Sequence, residues 1–177
     1  MNQKLLKEYK LNYTLDNIPD NLSEDHKIIY GYLHEGFNDS NSSKGKHGYD
    51  VDTENIEIKP KNYVGKSKLN AGGQFTDFTW ARHRKYQKDK VVMSVSGFNN
   101  GKLVYVLEFD YNHPTFIKRI EDQLLRLLPN GDETNRYVRS ASFNFKHFKD
   151  ADIKKVYISP NVKSHKNTMV KNLYNFL

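Results

Sequence analysis

The chain has 177 residues, a formal net charge of +7, 13% aromatic residues and no cysteine. That length suits one domain with a real core, and the missing cysteines exclude disulfides and thiolate metal sites. No apolar run approaches the ~18 residues of a membrane span, and the Lys- and Glu-rich start lacks a signal peptide's apolar stretch, so a soluble, cytoplasmic protein without a membrane partner is expected.

The charge is segregated along the chain. Residues 1–58 carry a net −5 and residues 91–134 a net −2, whereas 59–90 and 135–177 each carry +7. An acidic cluster beside two basic segments suits an enzyme acting on nucleic acid: cations hold phosphates, and carboxylates hold a metal ion.

In chain order, Leu5, Leu6, Tyr9, Leu15 and Ile18 suggest a first helix and a loop ending near Pro19. Ser23 is a credible N-cap for a helix from Glu24 to about Glu35, striped by Ile28, Ile29, Tyr32 and Leu33. The Ser/Asn/Gly run 38–48 reads as a loop, with His47 a candidate base. Tyr49–Asp52 and Ile56–Lys59 then alternate as two short strands around a turn at Glu54-Asn55, where Asn tolerates positive φ. Alternation places Asp50, Asp52, Glu57 and Lys59 on one face and Tyr49, Val51, Ile56 and Ile58 on the other, with Pro60 ending the strand. Three carboxylates so close repel one another unless a cation sits among them, and carboxylate oxygens suit Mg²⁺.

After Pro60 the loop bearing Lys61, Lys66 and Lys68 and ending at Gly72-Gly73 can reach phosphates through N–H groups and ammoniums. Thr76 or Asp77 is a cap for a helix to about Asp89, with Phe78, Trp80, Ala81 and Tyr86 facing the core. That helix offers Arg82, Arg84, Lys85 and Lys88 to DNA. Val91–Phe98 and Leu103–Phe109 are strands of a hairpin turned by Asn-Gly, with Glu108 inside the second. Pro114 opens a helix to about Leu128 with a broad apolar face comprising Phe116, Ile117, Ile120, Leu124, Leu125, Leu127 and Leu128. Arg136–Phe148 and Val156–Pro160 read as strands, and Lys166–Leu177 as a helix. The pattern predicts one α/β (α+β) domain over 1–177, a central mixed sheet flanked by helices.

Asp50 followed by Glu57-Ile58-Lys59 resembles the D…(D/E)xK signature of the PD-(D/E)xK, or restriction-endonuclease-like, nucleases, although Gly48-Tyr49 stands where that family often has a Pro. The resemblance covers roughly residues 24–110, and only the four-residue constellation is specific. It implies a restriction-endonuclease-like core and hydrolysis of phosphodiester bonds in double-stranded DNA. The implied metal is one or two Mg²⁺ held by Asp50 and Glu57, with Asp52 and the Ile58 carbonyl as further candidate ligands. Lys59 would act on the attacking water or the phosphorane charge. The family usually adds a Glu from the preceding helix, for which Glu35 is the choice over Glu24, and a Gln or Lys after the ExK strand, for which Gln74 is the match. A small type II restriction endonuclease acting as a homodimer is the leading expectation. A homing or junction-resolving nuclease is the alternative within the family, and a non-catalytic DNA-binding protein the alternative outside it.

Overall fold

The computed structural model describes residues 55–100 and 102–177. These form β1 (Ile56–Tyr63), β2 (Gly73–Phe78), α1 (Trp80–Lys88), β3 (Val92–Asn99), β4 (Lys102–Asp110), α2 (Pro114–Leu127), β5 (Val138–Phe143) and β6 (Lys154–Ile158). Two 3₁₀ segments, Phe145–His147 and Val162–Thr168, and a final helix, α3 (Lys171–Phe176), complete them. A four-stranded mixed sheet runs in the order β1-β3-β4-β6, and β2 and β5 pair as a separate antiparallel ribbon. The α+β class with a mixed sheet and flanking helices is as expected. The strand expected at Tyr49–Asp52 lies outside the described residues, as do Glu35, Asp50 and Asp52.

β3 and β4 form the expected hairpin, with Asn99 opposite Lys102 and Asn100 at φ 48°. β1 runs parallel to β3, Glu57 in register with Met93 and Lys59 with Val95. Asn55 takes the left-handed φ its turn position invites (53°), and its carbonyl accepts from Val92 N–H. Tyr63 likewise accepts from Asn100 N–H, so the odd-numbered residues of β1 direct their backbone groups at β3. That phase corrects the expectation that Pro60 ends the strand. Its missing N–H faces away from β3, where no ladder bond to β3 is lost, and β1 continues to Tyr63.

One face of the sheet carries Met93, Val95, Leu107 and Phe109 into a core shared with the β2–β5 ribbon, α1 and α2. Rings supply much of its volume: Phe75 contacts Phe78, Tyr86, Tyr111 and Phe143, and Phe109 stacks on Phe148 at 4.0 Å. The buried hydroxyls find partners, as Tyr105 Oη accepts from Ala71 N–H and Tyr111 Oη lies 2.8 Å from His83 Nδ1. Tyr105 reaches Ala71 only because residue 97 is glycine, since a Cβ there would sit 2.2 Å from the ring.

Four other expectations are corrected. The helix before β3 begins at Trp80, capped by Thr79 and not by Thr76 or Asp77, because residues 73–78 pair with β5 as a strand. Asp77 has φ 51° between the paired positions Thr76–Ser140 and Phe78–Val138, so Phe75 and Phe78, three apart, both reach the core. The strand after α2 is confined to Val138–Phe143, since Asn144 caps a 3₁₀ turn. The C-terminal helix is only Lys171–Phe176, because Met169 and Val170 are extended, held by hydrogen bonds from Leu69 N–H to the Thr168 carbonyl and from Val170 N–H to the Leu69 carbonyl. On α2 the buried face is a narrow one of Phe116, Ile120, Gln123 and Leu124, while Leu125 and Leu127 are exposed.

Candidate active site

Period-2 alternation along β1 puts Glu57, Lys59, Lys61 and Tyr63 on the face turned toward the ribbon and α1. Their surroundings differ along the strand. Glu57 is under the tail of α1, its side chain only 4% exposed, whereas Lys59, at 17%, opens onto solvent. The two form an ion pair, Lys59 Nζ on Glu57 Oε1. The other carboxylate oxygen accepts from the Tyr86 hydroxyl at 3.0 Å. A carboxylate removed from water is costly unless paired and hydrogen-bonded, and here each oxygen has its donor.

Tyr86 is itself braced. Arg82, one helical turn earlier, donates from Nη2 to Tyr86 Oη (3.1 Å) and from Nη1 to the Thr76 carbonyl (3.0 Å). Its guanidinium also lies over the Phe78 and Tyr86 rings. Burial, and then the Glu57 charge, push the Tyr86 hydroxyl far above its ordinary pKa, so it stays protonated and donates. Lys59 Nζ is 4.9 Å from the Phe75 ring centroid, a cation–π contact that holds the ammonium at the sheet's edge.

Lys59 also lines a cleft of about 580 Å³ with Pro60, Lys61, Asn70, Gly73, Gln74 and Asn144 among its walls. Among the described residues, no Asp or Glu lines it. Gly73 makes this packing possible: a Cβ there would meet Lys59 Cβ at 2.8 Å and Phe143 Cζ at 2.9 Å. Gly73 thus serves close approach of ribbon and sheet, while a Cβ at Gly72 would meet Asn70 Oδ1 at 2.6 Å and the Phe143 carbonyl oxygen at 2.7 Å. The opposite wall is fixed by α2, where Gln123 Oε1 accepts from Ser142 N–H (2.8 Å) and Arg119 Nε donates to the Ser142 carbonyl (2.9 Å).

Of the residues singled out from sequence, the structure brings together Glu57, Lys59, Lys61 and Gln74. Gln74 Oε1 accepts from Ser140 Oγ at 2.8 Å, and its residue remains exposed at the cleft. Ile58 is fully buried on the opposite face, with its carbonyl directed away from β3. Lys66 and Lys68 are exposed on the loop between β1 and β2, and Lys88 is exposed on α1. Arg82 is occupied in bracing Tyr86, Lys85 pairs with Asp89 at 2.7 Å, and Arg84 lies 3.7 Å from Asp132. Glu108, in β4, has Lys154 Nζ 3.5 Å away and lies on the reverse face, in register with Ser94 and not near Glu57.

Mg²⁺ is held through one or two carboxylates, with water and phosphate oxygens filling its shell. Glu57 supplies one such carboxylate, and no group of three or more His, Asp or Glu side chains converges among the described residues. A second carboxylate would have to come from Asp50 or Asp52, which lie outside the described residues. Tyr86, Asn70 and Asn144 were missed as site residues. Tyr86 is at i+4 from Arg82 on a helix, a readable pairing, whereas nothing local brings residues 70 and 144 to β1. No protein-family model and no curated protein matches the chain.

Proposed function

We propose that the chain is a Mg²⁺-dependent endonuclease that hydrolyses phosphodiester bonds in DNA, a restriction endonuclease of the PD-(D/E)xK type acting on duplex DNA as a homodimer. The observation that carries this reading is the Glu57–Lys59 pair, two residues apart on one strand, with Lys59 opening onto a cleft that no Asp or Glu among the described residues lines. Asp50 and Glu57 would hold the metal, which supplies an activated water and neutralises phosphate charge when bound. Lys59 stabilises negative charge on the phosphate, and Lys61, two positions along the same face, receives the neighbouring phosphate. Tyr86 fixes the Glu57 rotamer from behind, so the carboxylate is placed before substrate arrives.

One observation favours a second reading, a non-catalytic DNA-binding protein. Both Glu57 oxygens already have donors, as in a purely structural ion pair. Plasmid and phage DNA incubated with purified protein, in Mg²⁺ and then in EDTA, separate the two. Discrete Mg²⁺-dependent bands are expected. Cutting at one rare site or only of branched DNA would instead indicate a homing or resolving nuclease. Binding without cleavage under any of these conditions would establish the second reading.

A further inference from the structure

Next to the cleft at Lys59 lies a second, smaller pocket of about 190 Å³, and the two have Asn70 and Asn144 in common. Lys146 and Asn172 stand on its far side. Among the described residues, the lining of both compartments contains Lys59, Lys61 and Lys146 and no Asp or Glu. A groove whose described lining is basic and rich in carboxamides matches a phosphodiester strand with its polar base edges.

The shared wall is rigid before any ligand arrives. Phe145 N–H donates to the Asn70 carbonyl at 2.9 Å, and the Asn144 side chain caps the turn that carries Lys146. Asn144 N–H donates to His147 Nδ1 at 3.0 Å. The parallel bridge between Leu69 and Met169 ties the C-terminal segment, and with it Asn172, to the same loop. Asn172 Oδ1 accepts from Leu173 N–H, which leaves its Nδ2 as a donor. Lys146 is exposed and forms no ion pair among the described residues. Three distant stretches of chain, 69–70, 144–146 and 170–172, are thus stitched into one wall, which a plain surface connection does not need.

We propose that this second pocket is a nucleotide subsite. A DNA strand whose phosphate lies at Lys59 continues past Lys61 and the Asn70–Asn144 ridge, and its next unit is received by Lys146 and Asn172. This rests on the nuclease reading for the position of the scissile phosphate, but not for the binding itself. The groove follows one strand: its larger compartment has the size of a small-ligand site, whereas a duplex interface spreads over about 1,000–2,500 Å² of protein surface.

Fluorescence anisotropy with a labelled single-stranded 12-mer and a labelled trinucleotide, in EDTA, tests the subsite. Lys146→Ala and Asn172→Asp are expected to weaken 12-mer binding about fivefold or more and to leave trinucleotide binding at Lys59 less affected. Lys146→Ala should also lower the slope of log affinity against log salt by about one. Lys118→Ala, an exposed cation on α2 outside both compartments, serves as the comparison and should change little. Equal losses in Lys118→Ala and Lys146→Ala, or wild-type affinity in both subsite variants, would overturn the proposal. Because binding is read without Mg²⁺, a protein that shows these losses but never cuts DNA supports the subsite while contradicting the nuclease reading.

Discussion

The Tyr86 hydroxyl donates to Glu57 Oε2 across 3.0 Å, and this contact joins α1 to the strand that carries Lys59. Tyr86 is fully buried and Glu57 nearly so, so the bond is made where water cannot replace it. A surface hairpin with loosely paired charges would have neither property.

Tyr86→Phe removes the hydroxyl and leaves the ring. Glu57 Oε2 and Arg82 Nη2 both lose their partner, and a buried charged acceptor without a donor costs about 1–3 kcal/mol. Urea denaturation should show that loss, with Tm lower by roughly 2–12 °C for a chain of this size. Cleavage should fall as well, because Glu57 is no longer fixed. Unchanged stability would mean that the contact contributes nothing to the fold.

Gly73→Ala places a Cβ 2.8 Å from Lys59 Cβ, closer than such carbons approach. The ribbon must move away from β1, at about 1–3 kcal/mol for overpacking of this kind. DNA cleavage should fall more than DNA affinity, since the displaced group is Lys59 while most of the basic surface is untouched. A variant with parent stability and parent cleavage would show that the cleft tolerates expansion.

Much of this was legible in the sequence. β3 and β4 were readable because Asn-Gly separates two β-rich runs, and alternation correctly put Glu57 and Lys59 on one side of β1. β2 was not readable, because the left-handed Asp77 breaks its alternation and spaces Phe75 and Phe78 like a helix. The full extent of β1 was hidden by Pro60, whose effect depends on which way its nitrogen faces. The burial of Glu57 was hidden too, since it depends on Tyr86 arriving from a helix 29 residues away in sequence. Recognition of Asp50, Asp52 and Glu35 rests on sequence alone, for these residues lie outside the described part.

Acid should destabilise the protein. Burial above all lowers the pKa of His83, and burial followed by neighbouring cations (Arg119 and Lys146 at His147, Lys102 at His165) does the same for the other two. The unfolded chain takes up protons near the ordinary value of 6.5 while the folded chain resists them. Stability is therefore fully present above about pH 6.5 and lost as the pH falls below it. His83, buried with Tyr111 on one ring nitrogen and Glu121 on the other, should dominate, at up to about 1.4 kcal/mol per pH unit. Urea midpoints at pH 7.5 and 5.5 check the sign; equal midpoints would show that the histidines accept protons without resistance.

Single-turnover cleavage of plasmid DNA in Mg²⁺ by Lys59→Gln, beside the parent protein, probes the proposed nuclease activity most directly. Glutamine keeps an N–H donor for the buried Glu57, so the variant should fold and bind DNA, whereas alanine would leave Glu57 Oε1 without its donor. What it lacks is the positive charge at the cleft, where a lost interaction with the phosphate is worth on the order of 3 kcal/mol in the transition state, roughly a hundredfold in rate. The expected result is a folded protein that binds DNA and cuts it at least about a hundredfold more slowly. A folded Lys59→Gln protein that cuts at the parent rate, or a parent protein that cuts no DNA in Mg²⁺, would contradict the assignment of Glu57 and Lys59 to catalysis.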